Sequence, residues 1–172
     1  MNQFHFKLLL LFAGILVCAA CNNDDELPDE PVINSVDFLE AEKNLMINFT
    51  DGDGNFGLPP EDTLPPYQPL IDTINEIPND FHHNLWIDLY KLTDGEYQLI
   101  QTPAPFDFRI PSLTPAGQNK QLQVKVTYDL SFDLVNLGSI DTGDTLRFDV
   151  TIVDRDLNVS NTVKSEGHIL ID

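Results

Sequence analysis

The stretch Leu122-Gln-Val-Lys-Val-Thr-Tyr128 alternates apolar and polar side chains without a break. Successive side chains of an extended strand point to opposite faces, so Leu122, Val124, Val126 and Tyr128 share one side. Gln123, Lys125 and Thr127 share the other. A strand with one apolar and one polar face belongs in an antiparallel sheet that packs on a second layer and is wetted outside.

Outward from this strand the same period recurs. Leu146-Arg-Phe-Asp-Val-Thr-Ile152 repeats it, Leu45, Ile47 and Phe49 alternate with Met46, Asn48 and Thr50, and Leu85, Ile87 and Leu89 alternate with Trp86, Asp88 and Tyr90. Asp94-Gly95 lies between Trp86–Leu92 and Tyr97–Ile100, a dipeptide suited to a tight hairpin turn. Weaker strands are expected at 32–38, 106–110 and 162–171. Helical periodicity is scarce. The reading is all-β: an antiparallel β-sandwich of seven or eight strands over residues 32–172. Two segments break the pattern. Residues 51–83 hold six prolines and little periodicity, and residues 131–144 carry Gly138 and Gly143. Long irregular segments inside a compact domain tend to be functional or disordered.

The N-terminus has a different character. A short basic start ends at Lys7, Leu8–Val17 is almost wholly apolar, and Ala19-Ala20 precede Cys21. The apolar run is short for a membrane span, and small residues at its end mark a cleavage site. Small residues before a cysteine resemble the lipobox of bacterial lipoproteins, although Cys18 stands where an aliphatic residue is usual. The resemblance implies a signal peptide over 1–20 and a lipid on Cys21. Only Cys21 would then remain of the two cysteines, leaving no intramolecular disulfide. Residues 21–31 read as the lipidated Cys and an acidic, proline-punctuated tether. Asn22-Asn-Asp-Asp-Glu26 is similar to the export signal of surface-exposed lipoproteins of the Bacteroidota, which implies an outer-membrane location facing the exterior.

The chain carries 28 acidic against nine basic residues, a net charge of −19. Loss of residues 1–20 takes Lys7 and no acid, giving −20. Such a surface repels nucleic acid and favours cations or basic partners.

Two Asp-rich turns stand out. In Asp51-Gly-Asp-Gly-Asn-Phe-Gly57, alternate Asp51, Asp53 and Asn55 can aim three hard oxygens to one side, the donor type that Ca²⁺ takes. Asp62 falls at the twelfth position of an EF-hand count. However, the sharp-turn Gly is at the fourth position and Phe56 at the sixth, so this is no EF-hand. Turn-forming Asx hydrogen bonds account for such a sequence equally well. In the second turn, Asp154, Asp156, Asn158 and Ser160 alternate. This stretch resembles the corner before the last strand of bacterial immunoglobulin-like and fibronectin type III-like domains. That resemblance covers 32–172 and implies an immunoglobulin-like sandwich with both turns at one end. Asp51, Asp53, Asn55, Asp154 and Asp156 are therefore candidate calcium ligands, with Arg155 the one nearby base.

Other chemistry is sparse. His82-His83 are adjacent and point opposite ways if extended, a poor zinc set. Nucleophile elbow, phosphate loop and dinucleotide fingerprint are all missing, and no catalysis is expected. Trp86 is expected to pack in the core, while Phe56 and Tyr67 of the long loop offer aromatic contacts. Asp62-Thr63-Leu64 and Asp72-Thr73-Ile74 resemble an O-glycosylation sequon of exported Bacteroidota proteins, making Thr63 and Thr73 candidate sites. The expected role is a non-catalytic binding or accessory subunit of a cell-envelope assembly, its partner an outer-membrane protein complex or a glycan. Two alternatives stand beside it: a glycan-binding accessory of a nutrient-uptake system, and an enzyme using the clustered carboxylates.

Overall fold

The alternation around Leu122–Tyr128 becomes a strand at the edge of a sheet, paired on one side, with Val124, Val126 and Tyr128 turned toward the core. A computed structural model describes residues 27–170 apart from 103–104, 114–120, 132–133 and 135–136. Residues 1–20, Cys21 and the acidic run 22–26 lie outside the described residues. The strands are β1 (Val32–Leu39), β2 (Asn44–Asp51), β3 (Leu70–Asp72), β4 (Ile77–Pro78), β5 (Leu85–Thr93) and β6 (Glu96–Leu99). They continue with β7 (Phe106–Phe108), β8 (Leu122–Asp129), β9 (Thr145–Ile152), β10 (Val163–Lys164) and β11 (His168–Ile169). No helix among the described residues is long and apolar enough to cross a membrane.

Two antiparallel sheets face each other. One runs β1-β2-β8; the other centres on β9 and β5, with β10 and β11 beside β9, and β6 and β7 beside β5. The expected last strand is broken into β10 and β11. Ser165 sits between them and exchanges bonds with Phe148, its amide donating to the Phe148 carbonyl at 2.8 Å and its Oγ accepting the Phe148 amide at 3.0 Å. β3 and β4 form a small separate ribbon inside the long segment 51–83. Asp94 and Gly95 both have positive φ (53° and 85°), the twist a two-residue hairpin needs between β5 and β6.

The core lies between the sheets. Phe38, Leu45, Ile47 and Phe49 meet Leu85, Ile87, Leu89, Leu146, Phe148, Val150 and Ile152, all buried. The Phe38 and Phe148 rings stack across the layers at 4.8 Å. Each such side chain stabilises the fold by about 1.5–3 kcal/mol relative to exposure.

Trp86 departs from expectation. Leu85 and Ile87 take the inward positions of β5, so period 2 turns Trp86 outward, half-buried, opposite Thr151. Its indole N–H donates to the Asp80 carbonyl at 3.2 Å, under a short 3₁₀ turn (Asp80–His82) whose Phe81 ring lies 6.1 Å away. Phe56 is the reverse case: it leaves the loop for the core and packs on Phe49, 4.5 Å between ring centroids.

The long segment is built. Arg109 is its hub: its guanidinium donates to the carbonyls of His82 (2.6 Å), Pro59 (2.9 Å) and Tyr67 (3.2 Å). Asn79 ties the base of the ribbon, donating through Nδ2 to Pro66 (2.6 Å) and Gln68 (2.7 Å). Carbonyls in an irregular segment have no ladder partners, and these two side chains supply donors instead.

Candidate metal centre

Along β2 the inward positions are Leu45, Ile47, Phe49 and, by the same parity, Asp51. Along β9 they are Leu146, Phe148, Val150 and Ile152; two residues further comes Asp154. Strand parity thus aims one acid from each sheet into the same end of the core. Both are buried, and Asp51 is 0 % exposed.

Asp51, Asp53 and Asp154 each place a carboxylate oxygen within 4.8 Å of the others. Asp154 has partners: its Oδ1 accepts the amides of Asp156 (2.9 Å) and Asn158 (2.8 Å), and its Oδ2 accepts Asn158 Nδ2 at 2.8 Å. Asp53 accepts the Asn55 amide and side-chain nitrogen at 3.1 and 2.8 Å. Neither oxygen of Asp51 has a hydrogen-bond partner, and the buried Oδ1 of Asn55 has none.

Burial raises the Asp51 pKa from 3.8 to about 6, and the charges of Asp53 and Asp154 push the same way. The amides of Gly54 and Asn55 face it and pull partly back without reaching hydrogen-bonding geometry. Burial also raises Asp154, against its bonds to Asn158 and Asp156. No Lys or Arg relieves the three acids among the described residues. Arg155, the nearby base, turns away to Asp62 (2.7 Å) and the Gly57 carbonyl (3.4 Å), with its guanidinium 5.6 Å from the Tyr67 ring centre. The Tyr67 hydroxyl closes this group by donating to the Arg155 carbonyl.

The donor set suits a hard cation. Three carboxylates within 4.8 Å of one another, with an unpaired amide oxygen from Asn55 beside them, supply the oxygen ligands that Ca²⁺ takes. Of the five candidate ligands, Asp51, Asp53 and Asp154 converge directly, with Asn55 beside them. Asp156 stands one bond away, its Oδ2 accepting Asn55 Nδ2 at 3.0 Å. Asp62 is taken by Arg155. The signal that singles out Asp51 and Asp154 in the sequence is their in-phase position at the ends of two alternating strands.

Thr63 and Thr73 are both exposed. His82 and His83 meet edge to face, and Nδ1 of His82 engages the Tyr67 carbonyl at 2.9 Å and Arg109 at 2.8 Å.

No protein-family model matches the chain, and neither curated proteins nor solved structures give a match.

Proposed function

We propose that this chain is a lipid-anchored, non-catalytic module of the cell envelope whose loop end is held in shape by Ca²⁺. The observation that carries the calcium reading is Asp51: a fully buried carboxylate with no hydrogen-bond donor and two acidic neighbours. An uncompensated buried charge is costly, and a bound cation supplies the missing opposite charge. Such a site joins the turn after β2 to the turn after β9, and so fixes the surface those turns present. Seclusion of Asp51 from solvent fits ion holding better than chemistry on a substrate. Cys21 is the proposed point of anchoring, at the outer membrane and facing outward, with the acidic run 22–26 giving reach.

A glycan-binding accessory remains the second reading, but its surface moves. Phe56 is in the core and Tyr67 is engaged with Arg155, so the outward Trp86 on β5 is the aromatic to test. Retention on immobilised polysaccharides that vanishes with Trp86→Ala would favour it.

The decisive test is calorimetric titration of the mature chain with Ca²⁺, with melting temperatures in Ca²⁺ and in chelator. Binding at one hundred times Kd adds about 2.7 kcal/mol, a rise of roughly 10 °C for a domain of this size. No heat and no shift at millimolar Ca²⁺ would leave two Asx-bonded turns and sink the calcium reading.

A further inference from the structure

The segment between Asp51 and Leu85 leaves β2 and re-enters at β5 on the end of the sandwich where β1 begins, since Val32 pairs with Thr50. The incoming chain is fastened at this same end. The Pro28 carbonyl accepts the Gly52 amide at 2.9 Å, and the Leu27 and Pro28 carbonyls crowd Gly52 so closely that a Cβ has no room. Five residues, 22–26, separate Leu27 from Cys21, a reach of about 20 Å at full extension.

From this end the β3–β4 ribbon and its flanks present Leu64, Ile71, Ile74 and Ile77, exposed by 77, 62, 89 and 44 %. They include the three most exposed large hydrophobic residues among those described. The turn that carries them is built: Asp72 accepts the amides of Ile74 (2.8 Å) and Asn75 (3.1 Å), and Asn79 secures its base. Single exposed aliphatics are ordinary, whereas four of them along residues 64–77 are a concentration that marks a contact. Residues 59–81 contain no Lys or Arg and five acids, Glu61, Asp62, Asp72, Glu76 and Asp80, which an anionic surface would repel. The ribbon therefore suits uncharged or zwitterionic head groups and acyl chains, not an anionic surface.

We infer that the β3–β4 ribbon rests on the bilayer that holds the Cys21 lipid, seating Ile74, Ile71 and Leu64 at its interface. This rests on the anchoring reading above, because the short tether is what brings this end to the membrane. The lipid then supplies one attachment and the ribbon a second, and the opposite end of the sandwich points away from the membrane.

The test uses the full lipidated chain in phosphatidylcholine vesicles, with a nitroxide on Ile74→Cys and, separately, on Leu92→Cys near the opposite end of β5. Both positions are exposed, and the lipid blocks the one native thiol of the mature chain. The expected result is flotation with the vesicles and a severalfold lower accessibility of the label at 74 than at 92 to a water-soluble relaxant. Flotation with equal accessibility would overturn the inference while the anchor stands. Failure of the lipidated chain to float would overturn the anchoring reading and the inference together. A peptide mass that places a glycan on Thr73 would also overturn it, because a hydrated sugar there keeps Ile74 in water.

Discussion

Asp51 and Asp154 come from opposite sheets yet converge on one point, because each continues the inward parity of the strand it ends. Between them they carry the conflict that organises this end of the molecule. Burial that stabilises the neighbouring Phe49 and Ile152 works against the ionised form of Asp51.

An Asp51→Asn substitution keeps the shape and removes the charge. In chelator the variant is expected to be more stable than the parent at pH 7.5, by about 1–2 kcal/mol, as relief of an uncompensated buried charge implies. Calcium should no longer raise its melting temperature. Equal stabilisation of variant and parent by Ca²⁺ would place the ion elsewhere.

The same carboxylate makes the metal-free protein pH-sensitive. Its folded pKa of about 6 lies above the ordinary 3.8. Between those values the folded state binds more protons than the unfolded state, so stability falls as pH rises through that window. The loss attributable to Asp51 is on the order of 2–3 kcal/mol. Urea melts in chelator at pH 4.5 and 7.5 should show a drop in the parent that shrinks in Asp51→Asn. Saturating Ca²⁺ should flatten it.

Arg109 holds the long segment chiefly through the carbonyls of His82, Pro59 and Tyr67. Arg109→Met retains much of the stem but none of the donors, leaving those oxygens without their charged partner. The expected cost is about 1.5–3 kcal/mol, concentrated in faster hydrogen exchange over residues 58–84. Exchange in β2, β5 and β9 should change little, and uniform acceleration across all strands would show the hub to be global.

Gly52 is where the entering chain and the first Asp-rich turn touch. Gly52→Ala drives a methyl group against the Leu27 and Pro28 carbonyls, which must retreat. A loss of about 1–3 kcal/mol is expected, with raised exchange in residues 27–33 and a weakened calcium response. An unchanged melt would mean that the entering chain is not held there.

Period-2 alternation in short runs with turn residues between them was enough to read an antiparallel sandwich from Leu122–Tyr128, Leu146–Ile152, Leu45–Thr50 and Leu85–Tyr90. Each run states locally which of its faces must leave water. Asp94-Gly95 was legible for the same reason: positive φ at both turn positions is a property of two residues. The outward position of Trp86 is implied by its own strand, against the core position that a tryptophan on the third strand of an immunoglobulin-like sandwich commonly takes. The strand's phase, set by Leu85, Ile87 and Leu89 together, outweighs the preference of one side chain.

The alternation, the turns, the acidic composition and the two Asp-rich motifs are each written in neighbouring residues and were legible for that reason. That the carboxylates of Asp51, Asp53 and Asp154 meet, that Arg155 turns to Asp62 rather than to them, and that Arg109 gathers carbonyls from three separate places in the chain follows from the folded arrangement alone. Those relations join residues more than a hundred positions apart in the case of Asp51 and Asp154, and they exist only once the two sheets have closed on their core and brought the loop ends together.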